Sequence, residues 1–71
     1  MVDIKGLKKL IEDSGMTMVA FSNKTGILRA TMYNRLSGQG EFTVSEIESI
    51  SETLHLTVSQ RNAIFFAKSV E

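Results

Sequence analysis

TMVAFSNKTGILRATMYNRLSG, residues 17–38, decides how this chain folds. Thr17 is a suitable N-cap, because a hydroxyl there accepts from the N–H groups left open at a helix start. A helix is expected from Met18 to about Lys24. Gly26 then supplies a tight turn, since a residue without Cβ enters the left-handed region at little cost. A second short helix is expected from Arg29 to about Ser37, ending at the Gly38-Gln39-Gly40 loop. Phe21, Ile27, Met32 and Leu36 are spaced so that they converge on one small core.

Two short helices that cross steeply need a turn free of Cβ hindrance and an apolar plug after it, which is the physical demand of a helix-turn-helix. Gly26 and Ile27 meet it. The outer face of the second helix is then left for Arg29, Ala30, Tyr33, Asn34 and Ser37, which include no acid. Hydrogen-bonding side chains without negative charge suit a groove lined by base edges and phosphates.

The flanks agree with an all-α chain. Asp3 caps a first helix from about Ile4 to Ser14, with Ile4, Leu7, Leu10 and Ile11 on one apolar face and Gly15 as its stop. Thr43-Val44-Ser45-Glu46 and Thr57-Val58-Ser59-Gln60 are two capping boxes, in which each end residue satisfies the other's backbone N–H. The first opens a helix whose expected buried stripe is Val44, Ile47, Ile50 and Leu54. The second opens a helix expected to run to about Lys68. No proline, low-complexity segment or internal repeat interrupts the pattern, and the sequence lacks a long alternating run.

Composition bounds the function. Seventy-one residues make one domain, spanning 1–71. A chain this short hides only about 60% of its unfolded surface, which leaves no room for a deep catalytic cleft beside a core. There is no cysteine, and the single histidine, His55, fits a helix C-terminus better than a metal site or a catalytic role. No cofactor is expected, and no nucleophile–base set or phosphate-cradling glycine loop can be drawn. The longest apolar run, AIFFA at 63–67, is too short to span a bilayer. With no secretory signal at its start, the chain is expected to be cytoplasmic. Net charge is zero, but its distribution is uneven. Residues 17–38 carry Lys24, Arg29 and Arg35 and no acid, whereas residues 39–71 carry five acids and two bases.

The sequence resembles the Cro/repressor (XRE-like) type of helix-turn-helix protein, especially the small phage Cro-like regulators. Thr17, Phe21, Gly26, Ile27, Thr31, Met32 and Gly38 fall on the positions of that family's pattern, and EFTVSEIESISETLHLT is similar to its fourth helix. The likeness runs from about Leu7 to Phe66. It implies a five-helix, lambda-repressor-like DNA-binding domain that regulates transcription in a phage or mobile-element switch, with operator DNA as partner. On that resemblance Leu28, Arg29, Ala30, Tyr33, Asn34 and Ser37 face the groove. Arg29 then suits guanine and Asn34 adenine, Leu28 or Ala30 suits a thymine methyl, and Tyr33 and Ser37 suit phosphates. Lys24 and Arg35 are assigned to the DNA backbone, although Arg35 also has the option of pairing with Glu41 or another acid across the loop.

The chain departs from the family at three places. Met18 stands where glutamine usually opens the second helix, Ser22 replaces a small alanine, and Leu28 replaces the serine that opens the reading helix. Two polar contacts are thereby lost. Met16, Met18 and Leu28 would give an apolar patch near the same face. A second function follows from it: an anti-repressor that docks on the DNA-binding domain of a partner repressor. Three cationic contacts give a salt slope of only about −3, so a homodimer on a two-fold site is expected. Ile64, Phe65 and Phe66 on the last helix are its expected interface, or a partner's, against the simpler role of filling the core.

Overall fold

Capping fixes where the helices begin. The structure, a computed structural model, describes residues 1–67. The Asp3 carboxylate accepts from Gly6 N–H at 3.0 Å and starts α1 (Ile4–Asp13). Thr17 Oγ1 accepts from Ala20 N–H at 3.1 Å and starts α2 (Met18–Thr25). α3 (Arg29–Leu36) follows Leu28 with no side-chain cap. α4 (Val44–Thr53) and α5 (Val58–Phe65) each open on a reciprocal capping box, Thr43 with Glu46 and Thr57 with Gln60. No strand occurs among the described residues. The chain is therefore all-α, as its sequence pattern predicts.

The core draws on every helix. Leu7 and Ile11 of α1 meet Phe21 of α2, Met32 and Leu36 of α3, Ile47 and Ile50 of α4, and Ile64 and Phe65 of α5. Ile27, between α2 and α3, is buried with them. α2 is the hub, packing on both α3 and α4, while α5 packs on α1 and α4. The Phe42 ring meets Phe65 edge-on, centroids 5.5 Å apart, and ties the α3–α4 connection to α5.

Three expectations need correction. Val44 is 72% exposed and does not join the buried stripe of α4. At about 100° per residue it stands roughly 90° round the helix from the mean direction of Ile47, Ile50 and Leu54. α5 ends at Phe65, where the expectation was Lys68, which lies outside the described residues. The backbone leaves the helical region at Phe66, with φ −123° and ψ 32°. The predicted ends of α1 and α3, Ser14 and Ser37, are cap residues just beyond the last helical turn.

His55 closes α4 in the left-handed region, at φ 54°, the one non-glycine residue with positive φ among those described. Leu56 N–H donates to Ser51 O at 2.9 Å and His55 N–H to Glu52 O at 3.2 Å, the two bonds of a Schellman motif. That conformation costs an L-residue about 1–2 kcal/mol, part of which glycine returns through its freer unfolded chain. His55→Gly is therefore expected to stabilise the domain by about 0.5–1 kcal/mol, read as a rise of a few degrees in thermal unfolding. An unchanged or lower midpoint would show that the imidazole contributes more here than the backbone strain costs.

Candidate functional site

The α2–α3 pair carries the acid-free segment, and its geometry is set by the connection 26–28. Gly26 sits at φ 76° and its N–H donates to Ser22 O at 2.9 Å, closing α2. Thr25 Oγ1 then accepts from Ile27 N–H at 3.3 Å and turns the chain so that Ile27 enters the core. Met32 and Leu36 bury one side of α3. At about 100° per residue, Ala30, Asn34 and Ser37 lie opposite them, with Tyr33 on one flank and Arg35 on the other. Ala30, Tyr33, Asn34 and Ser37 are all exposed, as are Leu28 and Arg29 at the head of the helix.

The exposed side chains form two regions. At the N-terminal end of α3, Leu28 and Arg29 share a shallow groove with Val19 and Asn23 of α2. Val19 and Asn23 were not anticipated from the sequence. Their signal was present in it, since 19 and 23 are four apart and lie on one side of α2. Towards the other end of α3, Tyr33 and Ser37 border a hollow of about 420 Å³ floored by Ile11, Met16, Met18 and Leu36, with Lys8 and Glu12 of α1 at its rim. Met16 and Met18 are thus together, but Leu28 lies in the other groove, so the three do not form the single patch expected of them. Met18 is half-buried and packs against the core.

Charge is placed as follows. Arg29 and Lys24 are exposed and form no ion pair with a described residue. Arg35 differs: its Nε donates to Glu46 Oε1 at 3.3 Å. The acid across the loop that it meets is Glu46, not Glu41. Ser37 Oγ donates to Asn34 O at 2.9 Å, so its hydroxyl offers an external ligand mainly an acceptor.

The expected interface on α5 is divided. Ile64 and Phe65 are 9% and 3% exposed and belong to the core. Adjacent residues on a helix point about 100° apart, and α5 buries both directions because α1 covers one and α4 the other. Phe66 is 56% exposed and lies with Met1, Val2 and Phe42 along one groove, which Arg35 and Glu41 also line.

No set of three or more His, Cys, Asp or Glu that could hold a metal occurs among the described residues, and no helix among them is long and apolar enough to cross a membrane. Comparison of the chain with protein-family models, curated proteins and solved structures gives no match. The functional reading therefore rests on the chain's own residues.

Proposed function

We propose that this protein is a sequence-specific DNA-binding regulator, in which α2, the Gly26 turn and α3 act as a helix-turn-helix and α3 enters the major groove. The observation that carries the reading is the surface of α3. Leu28, Arg29, Ala30, Tyr33, Asn34 and Ser37 are all exposed on a segment without a single acid, while Met32 and Leu36 of the same helix are spent on the core and Arg35 on Glu46. An exposed surface without acids meets a phosphate-lined groove with no like-charge repulsion. Arg29 and Asn34 are the base-reading pair, and Lys24 is a phosphate contact.

With Arg35 engaged by Glu46, two of the three cations of residues 17–38 remain unpaired with any described residue, Lys24 for a phosphate and Arg29 for a base. The salt slope from this segment is then about −1 for each bound chain, since each neutralised phosphate contributes roughly −0.9. Such a chain gains useful affinity by binding as a homodimer across two half-sites. Of the three residues expected at the interface, Phe66 remains as a contact for that dimer.

The test is selection of duplexes from a randomised pool by the wild-type chain. Enrichment of a sequence whose affinity falls with salt at a slope of about −1 per chain is the expected result. If no duplex is enriched or retained at low salt, the DNA reading fails.

The hollow between Met16, Met18 and Tyr33 supports a second reading, an anti-repressor seated on a partner repressor's DNA-binding domain, because an apolar floor beside the same face is a natural protein contact. That reading predicts co-elution with such a repressor at micromolar concentration and no duplex enrichment.

A further inference from the structure

Arg35 is one of the two cations that the resemblance assigns to the DNA backbone, and its surroundings argue for another role. Its Nε donates to Glu46 Oε1, and that same oxygen accepts from Thr43 N–H at 2.9 Å. Thr43 Oγ1 in turn accepts from Glu46 N–H at 3.1 Å. The capping box therefore holds the Glu46 side chain in place, and Arg35 docks on a preset acceptor. Both side chains are largely covered, 22% and 16% exposed. The guanidinium also reaches the loop, because a Cβ placed on Gly40 would stand 2.5 Å from Arg35 Nη1. Gly40 is the residue that lets the arginine lie there.

We infer that Arg35 is a positioning residue that latches the last turn of α3 to the first turn of α4, fixing the roll of α3 about its own axis. The inference rests on the DNA reading of α3. Packing holds α3 along the side of Met32 and Leu36, and the latch stands on the flank, about 80° away, where it opposes rotation. A hydrophobic contact is non-directional and tolerates such rotation. A hydrogen-bonded ion pair has a preferred geometry and does not. Rotation of α3 would move Arg29 and Asn34 off their base edges while leaving phosphate contacts within reach. To hold a phosphate, Arg35 must leave Glu46, and a largely covered carboxylate is then left without its cation. The pair adds no net charge to the interface.

The experiment measures affinity for the selected duplex and for a random duplex, across salt, with Arg35→Lys, Glu46→Gln and the charge-neutral double variant Arg35→Gln/Glu46→Gln. Glutamine preserves the capping box, so α4 keeps its start. Lysine keeps the charge but not the directed Nε–H bond. Thermal unfolding confirms that each variant is folded at the assay temperature. The latch predicts that all three lose about tenfold in preference for the selected over the random duplex, the size of a typical pairwise coupling. It also predicts an unchanged salt slope in the double variant. A phosphate contact predicts the reverse: Arg35→Lys behaves as wild type and the double variant's slope weakens by about 0.9. That result overturns the inference. So does wild-type binding by all three variants with only a lower unfolding temperature, which makes the pair a stability element. Failure of the wild-type chain to enrich any duplex is a separate result and sinks the DNA reading itself.

Discussion

Phe21→Ala is expected to remove most of the domain's stability. Phe21 has no exposed surface and sits on α2, the helix that packs on both α3 and α4. Truncating a buried phenylalanine costs about 3–5 kcal/mol, as lost transfer energy plus the cavity left behind. A domain of this size has a total stability of roughly 4–10 kcal/mol at typical values per residue. The cavity would open under the α2–α3 pair, where no second layer of core can collapse into it. Urea unfolding followed by circular dichroism should show the midpoint falling to less than half its wild-type value, or no folded baseline. Phe21→Leu fills much of the same space and is expected to cost no more than about 1.5 kcal/mol. Phe66→Ala, at an exposed position, is expected to shift stability by about 0.5 kcal/mol or less. A loss under 1 kcal/mol for Phe21→Ala would mean that α2 does not organise the core.

Local signals made the helix starts legible. Asp3, Thr17, Thr43 and Thr57 each cap the helix they were expected to cap, because a cap is a contact within four residues and needs no tertiary information. The convergence of Phe21, Ile27, Met32 and Leu36 was also readable, since spacing and the Gly26 turn leave them one common side. Val44 misled because the first residue of a helix can match a stripe by count and still lie well round from its centre. The C-terminal apolar run misled in a different way. Sequence shows that Ile64, Phe65 and Phe66 share an apolar composition, but only the approach of α1 and α4 decides which of them are covered.

The candidate site divides along the same line. The exposed side of α3 follows from its period, so Ala30, Tyr33, Asn34 and Ser37 could be placed. Arg35 and Glu46 are eleven residues apart with a loop between them. Nothing local distinguishes an arginine that meets water or phosphate from one that meets an acid on the next helix. Glu46 was legible as a capping-box residue, and its second function as acceptor for Arg35 appears only when α4 returns past the end of α3. Met16, Met18 and Leu28 show the same limit: their shared apolar character suggested one patch, and the turn of the chain puts them in two.

Arg29→Ala is expected to erase sequence preference at one base pair while leaving the fold intact. Arg29 is the first residue of α3, exposed, without an acid partner among the described residues, and beside Leu28, Val19 and Asn23 at the leading end of the helix. A guanidinium there can donate two bonds to O6 and N7 of a guanine, a contact that discriminates by about 1–3 kcal/mol against the wrong base. The expected loss is therefore roughly 5- to 150-fold in preference at one G·C pair of the selected duplex. Binding should be measured against the full set of single base-pair substitutions of that duplex. Lys24→Ala should instead weaken all of these sequences alike and reduce the salt slope by about 0.9. An even loss for Arg29→Ala across every substitution would make it a second phosphate contact. Stability separates the outcomes from unfolding. A cation in the first turn of a helix opposes the helix dipole by about 0.3–1 kcal/mol, and Leu28 provides no side-chain cap to offset it. Arg29→Ala is thus expected to hold or slightly raise the unfolding midpoint while it destroys discrimination at that base pair. That combination is the mark of a residue kept for what it reads and against the interest of the helix that carries it.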